Sequence, residues 1–234
     1  MRTSVFLFHL LELTAAISAS IYWLKTKDKS IRPFVWYLWV IVCVETIGLY
    51  PYLYDITDNS IIKAIANSRI RRNSWLYNIY NPIAVILIGK FLIANTKDLI
   101  SHKVITLLSW SYVFFCIGYF IITNSFFKHG LPYDFIVSTF VIFTMVMLYL
   151  RELMRSDKIL GFYKTPVFYV TTALLLWYIC LTPLLIFDSH FLEINPEFNA
   201  FRRTFLDTSN IILYSWYTFA FLYPLRYKKK SAQK

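Results

Sequence analysis

Charge is what this chain lacks. Only 16% of its 234 residues are charged against 58% hydrophobic, and its mean hydropathy is +0.52. Soluble domains carry about a quarter charged residues, so this balance excludes that class and indicates a polytopic membrane protein. The gaps between apolar runs are too short for a soluble domain, which needs roughly 50 residues. Any output must then come from the membrane bundle or from a separate chain. Cysteine is also scarce. Cys43, Cys116 and Cys180 each fall near the middle of an apolar run, with no C-x-x-C pair, so no disulfide framework is expected. They read as small buried packing residues.

Enzyme signatures are missing too. The sequence contains no G-x-S-x-G, no P-loop, no H-E-x-x-H and no Asp-rich prenyl-diphosphate motif. His9, His102, His129 and His190 do not pair at ligand spacing on one helix, so no metal site and no cofactor are expected. On this reading the chain is not expected to be an enzyme. The last apolar run has no lysine for a Schiff base, which argues against a retinal pigment. The third ends Lys90-Phe91-Leu92-Ile93-Ala94-Asn95, without the acidic-arginine pair of G-protein-coupled receptors. Shared helix count alone would be a fold-level analogy.

What is present is seven long apolar runs, at about 4–24, 34–54, 75–94, 104–123, 134–150, 167–187 and 204–225. Runs of about 18 residues or more read as membrane-spanning helices. The expected fold is therefore all-α, a single seven-transmembrane-helix bundle over residues 1–234 that ends in a basic tail, 226–234. Tyrosine and tryptophan cluster at the run ends, as at Tyr22 and Trp23 or Tyr50, Tyr52 and Tyr54, where they would sit at headgroup level. Ser18-Ala19-Ser20 could be cut by signal peptidase, but His9 and Glu12 interrupt the apolar region and Ile21–Leu24 continues beyond it. The first run is therefore expected to stay as a span.

The net charge of +11 would suggest nucleic acid in a soluble protein; here the basic residues flank apolar runs, which points to lipid and to topology instead. Sixteen of the 24 Lys and Arg fall on the side that holds the tail, which places the C-terminus in the cytoplasm and the N-terminus outside. The membrane is expected to be the plasma (inner) membrane. Arg151, Arg155, Lys158 and Lys164 make the loop 151–166 basic. It reads mainly as a topology signal, and as a possible docking surface for a cytoplasmic signalling partner. On the other side, Asp55–Ser74 should hold a short interfacial helix around Ile61, Ile62 and Ile65. Asp188–Arg203 should fold back over the bundle.

Within the runs a few polar residues recur at helical spacing. The first run has His9 and Glu12, and the second has Glu45. The third has Asn78 and Asn81 beside Pro82, and the seventh has Asp207, Asn210 and Tyr214. With the N-terminus outside, these groups fall at similar depth in the outer half. A carboxylate inside a membrane helix costs a few kcal/mol, so it should face the bundle interior. Glu12 and Glu45 should be protonated, hydrogen-bonded to Asn and Tyr, or wetted by a cavity open to the outside. His9, Glu12, Glu45, Asn78, Asn81, Asp207, Asn210 and Tyr214 are thus the expected ligand-binding set. They would form an outer cavity for a small molecule or lipid fragment, with Arg69, Arg71, Arg72, Arg202 and Arg203 as a basic rim. Three other readings stand beside this one: a proton-coupled transporter, a lipid-acting hydrolase using Glu12 or Asp207, and an assembly subunit.

Overall fold

In a computed structural model the chain is a helical bundle whose outward surface is apolar. The residues described are 3–231, apart from 55, 58, 129–133 and 192–195. They form eight α-helices: α1 (Thr3–Thr26), α2 (Arg32–Gly48), α3 (Ser60–Ala66), α4 (Ser74–Asn95), α5 (Leu99–Thr123), α6 (Asp134–Arg155), α7 (Pro166–Phe191) and α8 (Pro196–Ser231). Short 3-10 stretches follow at Tyr50–Leu53 and Asp157–Lys164, and no strand occurs among the described residues.

Local chemistry sets the helix ends. Asp98 accepts hydrogen bonds from the backbone N–H groups of Ile100 and Ser101 and so starts α5, which stops where Asn124 turns left-handed at φ 50°. Asn59 caps α3 in the same way, through Ile61 N–H. Pro33 opens α2, where its missing N–H costs nothing. Pro82, Pro183 and Pro224 lie inside α4, α7 and α8, which continue through them.

The seven long helices form a closed ring. Each packs on its neighbour in chain order, α8 returns to lie along both α7 and α1, and α4 also touches α6. Short connections make successive helices antiparallel neighbours. Large side chains point away from the ring: Ile122 is 84% exposed, Ile121 75% and Phe140 69%. So much outward apolar surface suits acyl chains rather than water. Among the described residues six helices are long and apolar enough to cross a membrane: α1, α2, α4, α5, α6 and α7. The chain is a multi-pass membrane protein by this measure.

Four expectations change at this level. The seventh apolar run is part of α8, a 36-residue helix that is not among those six; Asp207, Asn210, Arg202 and Arg203 lower its apolar density. The segment expected to fold back, 188–203, is helical at both ends, within α7 and α8, and its centre at 192–195 lies outside the described residues. The tail is likewise helical as far as Ser231, and 232–234 lie outside the described residues. Finally, only Cys116 is buried; Cys43 and Cys180 are exposed on the outward surface, where a small apolar thiol is at home in lipid.

Candidate functional site

Glu12 lies 14 residues before the end of α1, and Glu45 lies 13 residues after the start of α2. At 1.5 Å per residue, both are about 20 Å from the turn that joins the two helices. The antiparallel pair therefore presents its two carboxylates at one depth, close enough to repel each other. Each has its own partner. His9 Nδ1 is 3.2 Å from Glu12 Oε2, one helical turn away. Its Nε2 is buried without a hydrogen-bond partner among the described residues. The Tyr214 hydroxyl from α8 is within hydrogen-bonding reach of Glu12. Tyr77 OH from α4 donates to Glu45 Oε2 at 3.1 Å.

These groups line a recess of about 390 Å³. Phe8, His9 and Glu12 come from α1, and Glu45 and Gly48 from α2. Asn73, Tyr77 and Tyr80 come from the start of α4, Trp177 from α7, and Asn210 and Tyr214 from α8. Leu49 and Tyr52 close the loop side. Gly48 belongs here for a steric reason: a Cβ at that position would lie 3.1 Å from Tyr77 OH and crowd its bond to Glu45.

The loop that precedes α4 is stitched over this end. Tyr50 OH donates to the carbonyl of Ile70, Tyr54 OH to that of Arg71 at 2.8 Å, and Asn73 Nδ2 to that of Gly48 at 3.1 Å. Trp75 Nε1 donates back to Tyr50 OH at 3.2 Å.

Below the recess lies a smaller chamber of about 180 Å³ that shares Tyr80, Trp177 and Tyr214 with it. Tyr37, Asn81, Tyr112, Ser138 and Tyr178 contribute to its walls. One turn further along α2 and α8 the interior becomes solid aromatic. Phe34 packs against Phe91 and Tyr217 at 5.1 Å each and against Phe221 at 6.0 Å, all four fully buried.

Beyond that plug, at the basic end, is a third cavity of about 330 Å³ whose walls include Asp28, Glu152 and Asp157. Two of these carboxylates are already used as structure. Glu152 accepts the backbone N–H groups of Lys97 and Asp98 at 2.6 and 3.1 Å, and Asp28 accepts from the backbone and hydroxyl of Ser30.

Of the eight residues read from the sequence, His9, Glu12, Glu45, Asn210 and Tyr214 meet in the recess of about 390 Å³. Asn81 lines the smaller chamber with Tyr214. Asn78 lies elsewhere: it is buried, and its Nδ2 donates to the carbonyl of Phe126 at 2.8 Å, tying α4 to the turn after α5. Asp207 is half-buried and lines neither cavity. The aromatic walls Tyr77, Tyr80 and Trp177 were not expected. Their signal was available on α4, because Asn73, Tyr77, Tyr80 and Ala84 follow one helical face, with Asn81 at its edge, while Asn78 stands about 100° away from Tyr77.

The basic residues of the loop 151–166 are engaged or turned outward. Arg151 lies 4.0 Å from Asp98, Lys164 sits 5.4 Å from the Tyr163 ring, and Arg155 is exposed. The side chain of Lys158 lies outside the described residues. No group of three His, Cys, Asp or Glu among the described residues is placed to hold a metal ion. Comparison with protein-family models, with curated proteins and with solved structures finds no match to this chain.

Proposed function

We propose that the protein is a seven-span sensory module of the plasma membrane that binds a small molecule in its outer recess. In this reading α8 is the seventh span, the N-terminus is outside and the C-terminus cytoplasmic. One observation carries it: carboxylates from two helices, with amide and phenol groups from two others, share a recess of about 390 Å³ walled by aromatic rings. Interhelical glue would need only single pairs, each worth about 0.6 kcal/mol, and not an open space between them. A concave, largely apolar pocket with a few convergent polar groups is the usual form of a ligand site. In this reading the bound state would be passed to a partner at the inner face, near Arg151, Arg155, Lys158 and Lys164.

The test is a ligand screen by thermal unfolding of the purified protein, repeated in Glu12→Gln and Glu45→Gln. A stabilising small molecule whose effect both substitutions remove is the expected result. A ligand response identical in all three proteins would sink the assignment of this recess.

A second reading, a small proton-coupled transporter, has one observation in its favour: a second cavity, of about 330 Å³, lies at the other end of the bundle. The aromatic plug of Phe34, Phe91, Tyr217 and Phe221 stands against it, as does the lack of a sequence repeat. Flux into proteoliposomes, measured with and without a pH gradient, separates the two readings.

A further inference from the structure

We propose that the occupant of the outer recess is a compact organic ammonium ion. The inference rests on the ligand-binding reading above and names the chemistry that reading leaves open. It begins from charge. The recess is lined by two carboxylates, Glu12 and Glu45, and by one imidazole, His9, while no lysine or arginine among the described residues contributes to its walls. A cation held beside them favours the ionised form of both carboxylates, and the lining then stays negative even if His9 is protonated, so that a positive charge on the occupant is matched. The arginines of the outer loops stand outside this lining. In water their field decays within about 8 Å at physiological salt, whereas a group inside the recess meets the carboxylates directly.

Shape then selects the kind of cation. Tyr52, Tyr77, Tyr80, Trp177 and Tyr214 place aromatic rings around the space, and such rings attract a cation held over their faces. About 390 Å³ is far more than a bare metal ion requires, and Glu12, His9 and Glu45 are not grouped as metal ligands. An ammonium on a short apolar body uses both features: N–H groups for the carboxylates, hydrocarbon for the rings. The chamber of about 180 Å³ behind Tyr80, Trp177 and Tyr214 gives that body a direction in which to extend. A free amine and the headgroup of an aminolipid share this chemistry, so the experiment has an arm for each.

The test uses the full chain in phosphatidylglycerol nanodiscs and three probes of one shape: 2-phenylethylammonium, 2-phenylethanol and phenylacetate. The ammonium is expected to raise the unfolding midpoint, and the alcohol and the acid are not. Glu12→Gln and Glu45→Gln should each weaken the ammonium about tenfold or more, the scale of one lost charge-assisted hydrogen bond. Asn210→Phe, which fills the recess and spares the carboxylates, should abolish the response, so the proposal stays testable if one Gln variant fails to fold. Nanodiscs that contain phosphatidylethanolamine form the second arm. If that lipid alone stabilises the protein and blocks the probe, the ammonium assignment holds with a lipid as its source. Equal or stronger stabilisation by the alcohol or the acid, lost in Asn210→Phe, would overturn the ammonium proposal and leave the recess standing as a binding site. Stabilisation by none of the three, in protein that folds and melts normally, would overturn both.

Discussion

Asp98 shows how much of the basic end of the bundle depends on one side chain. It caps α5, receives the Ser101 hydroxyl at 2.7 Å and lies 4.0 Å from Arg151. The Ser101 hydroxyl first, then the N–H of Ile100, hold its carboxyl below the ordinary value of 3.8. A carboxyl whose value falls on folding stabilises the folded state above its unfolded value, and that contribution disappears as pH drops through the folded one. Amide protection at the start of α5 should therefore be constant from neutral pH down to about pH 4 and fall in more acid solution. Asp98→Asn keeps the cap and should flatten this dependence. Asp98→Ala should lower protection at every pH, as hydrogen exchange at Ile100 and Ser101 would show. At this scale the sequence was a partial guide. Glu12, Glu45 and His9 stood out because a charge is rare inside an apolar run. Tyr77 and Trp177 did not, because an aromatic at helical spacing is ordinary core, and only the direction of a neighbouring helix turns it into a cavity wall. Asn78 misled for the converse reason: an amide in a span must find a partner, and a backbone carbonyl such as that of Phe126 serves as well as a ligand.

Elements come together where small residues allow. On α4, a Cβ added to Gly89 would lie 2.5 Å from Ser109 Oγ on α5, and Ser109 is itself bonded to the Ile105 carbonyl at 2.9 Å. Gly89→Ala should force that hydroxyl to leave its bond, at a cost of about 1 kcal/mol. Ser109→Ala removes the obstructing oxygen, and the remaining Ser109 Cβ is 3.7 Å from the built atom, an ordinary contact. The double variant Gly89→Ala with Ser109→Ala should thus be more stable than Gly89→Ala alone, and a double-mutant cycle on unfolding midpoints measures the difference. The loop over the recess gives a second element-scale test. Arg69, Arg71 and Arg72 are trypsin sites in a segment held by the hydroxyls of Tyr50 and Tyr54. Removing each bond by Tyr→Phe should raise the open fraction, and with it the cleavage rate, about fivefold. Helix positions were legible from apolar length, and α3 was legible from its spaced isoleucines. The extension of α7 and α8 into 188–203 was not, because Pro196 suggests a turn as readily as the first residue of a helix.

The whole molecule depends on α8. Without it the six apolar helices would form an open arc, and Glu12 would lose Tyr214. With it, α1 gains a neighbour on its second side and the recess is closed. The sequence marked this helix as a span through its run at 204–225, but Asn210, one of the residues that make it less apolar than the rest, is also a wall of the recess. An odd number of crossings has a consequence that six does not: the two ends of the chain lie on opposite sides. Basic residues concentrate with the tail, so the loop at Arg71 should face outward and the loop at Lys158 inward. A variant in which Cys43, Cys116 and Cys180 become Ala supplies the background, with Arg71→Cys, Lys158→Cys or Ala232→Cys added singly. In intact cells a membrane-impermeant maleimide should label only Arg71→Cys, and permeabilisation should expose the other two. Labelling of Arg71→Cys and Ala232→Cys from the same side would mean an even number of crossings. In that case α8 lies along the bundle without traversing it, and the recess is closed by a helix that never leaves one leaflet.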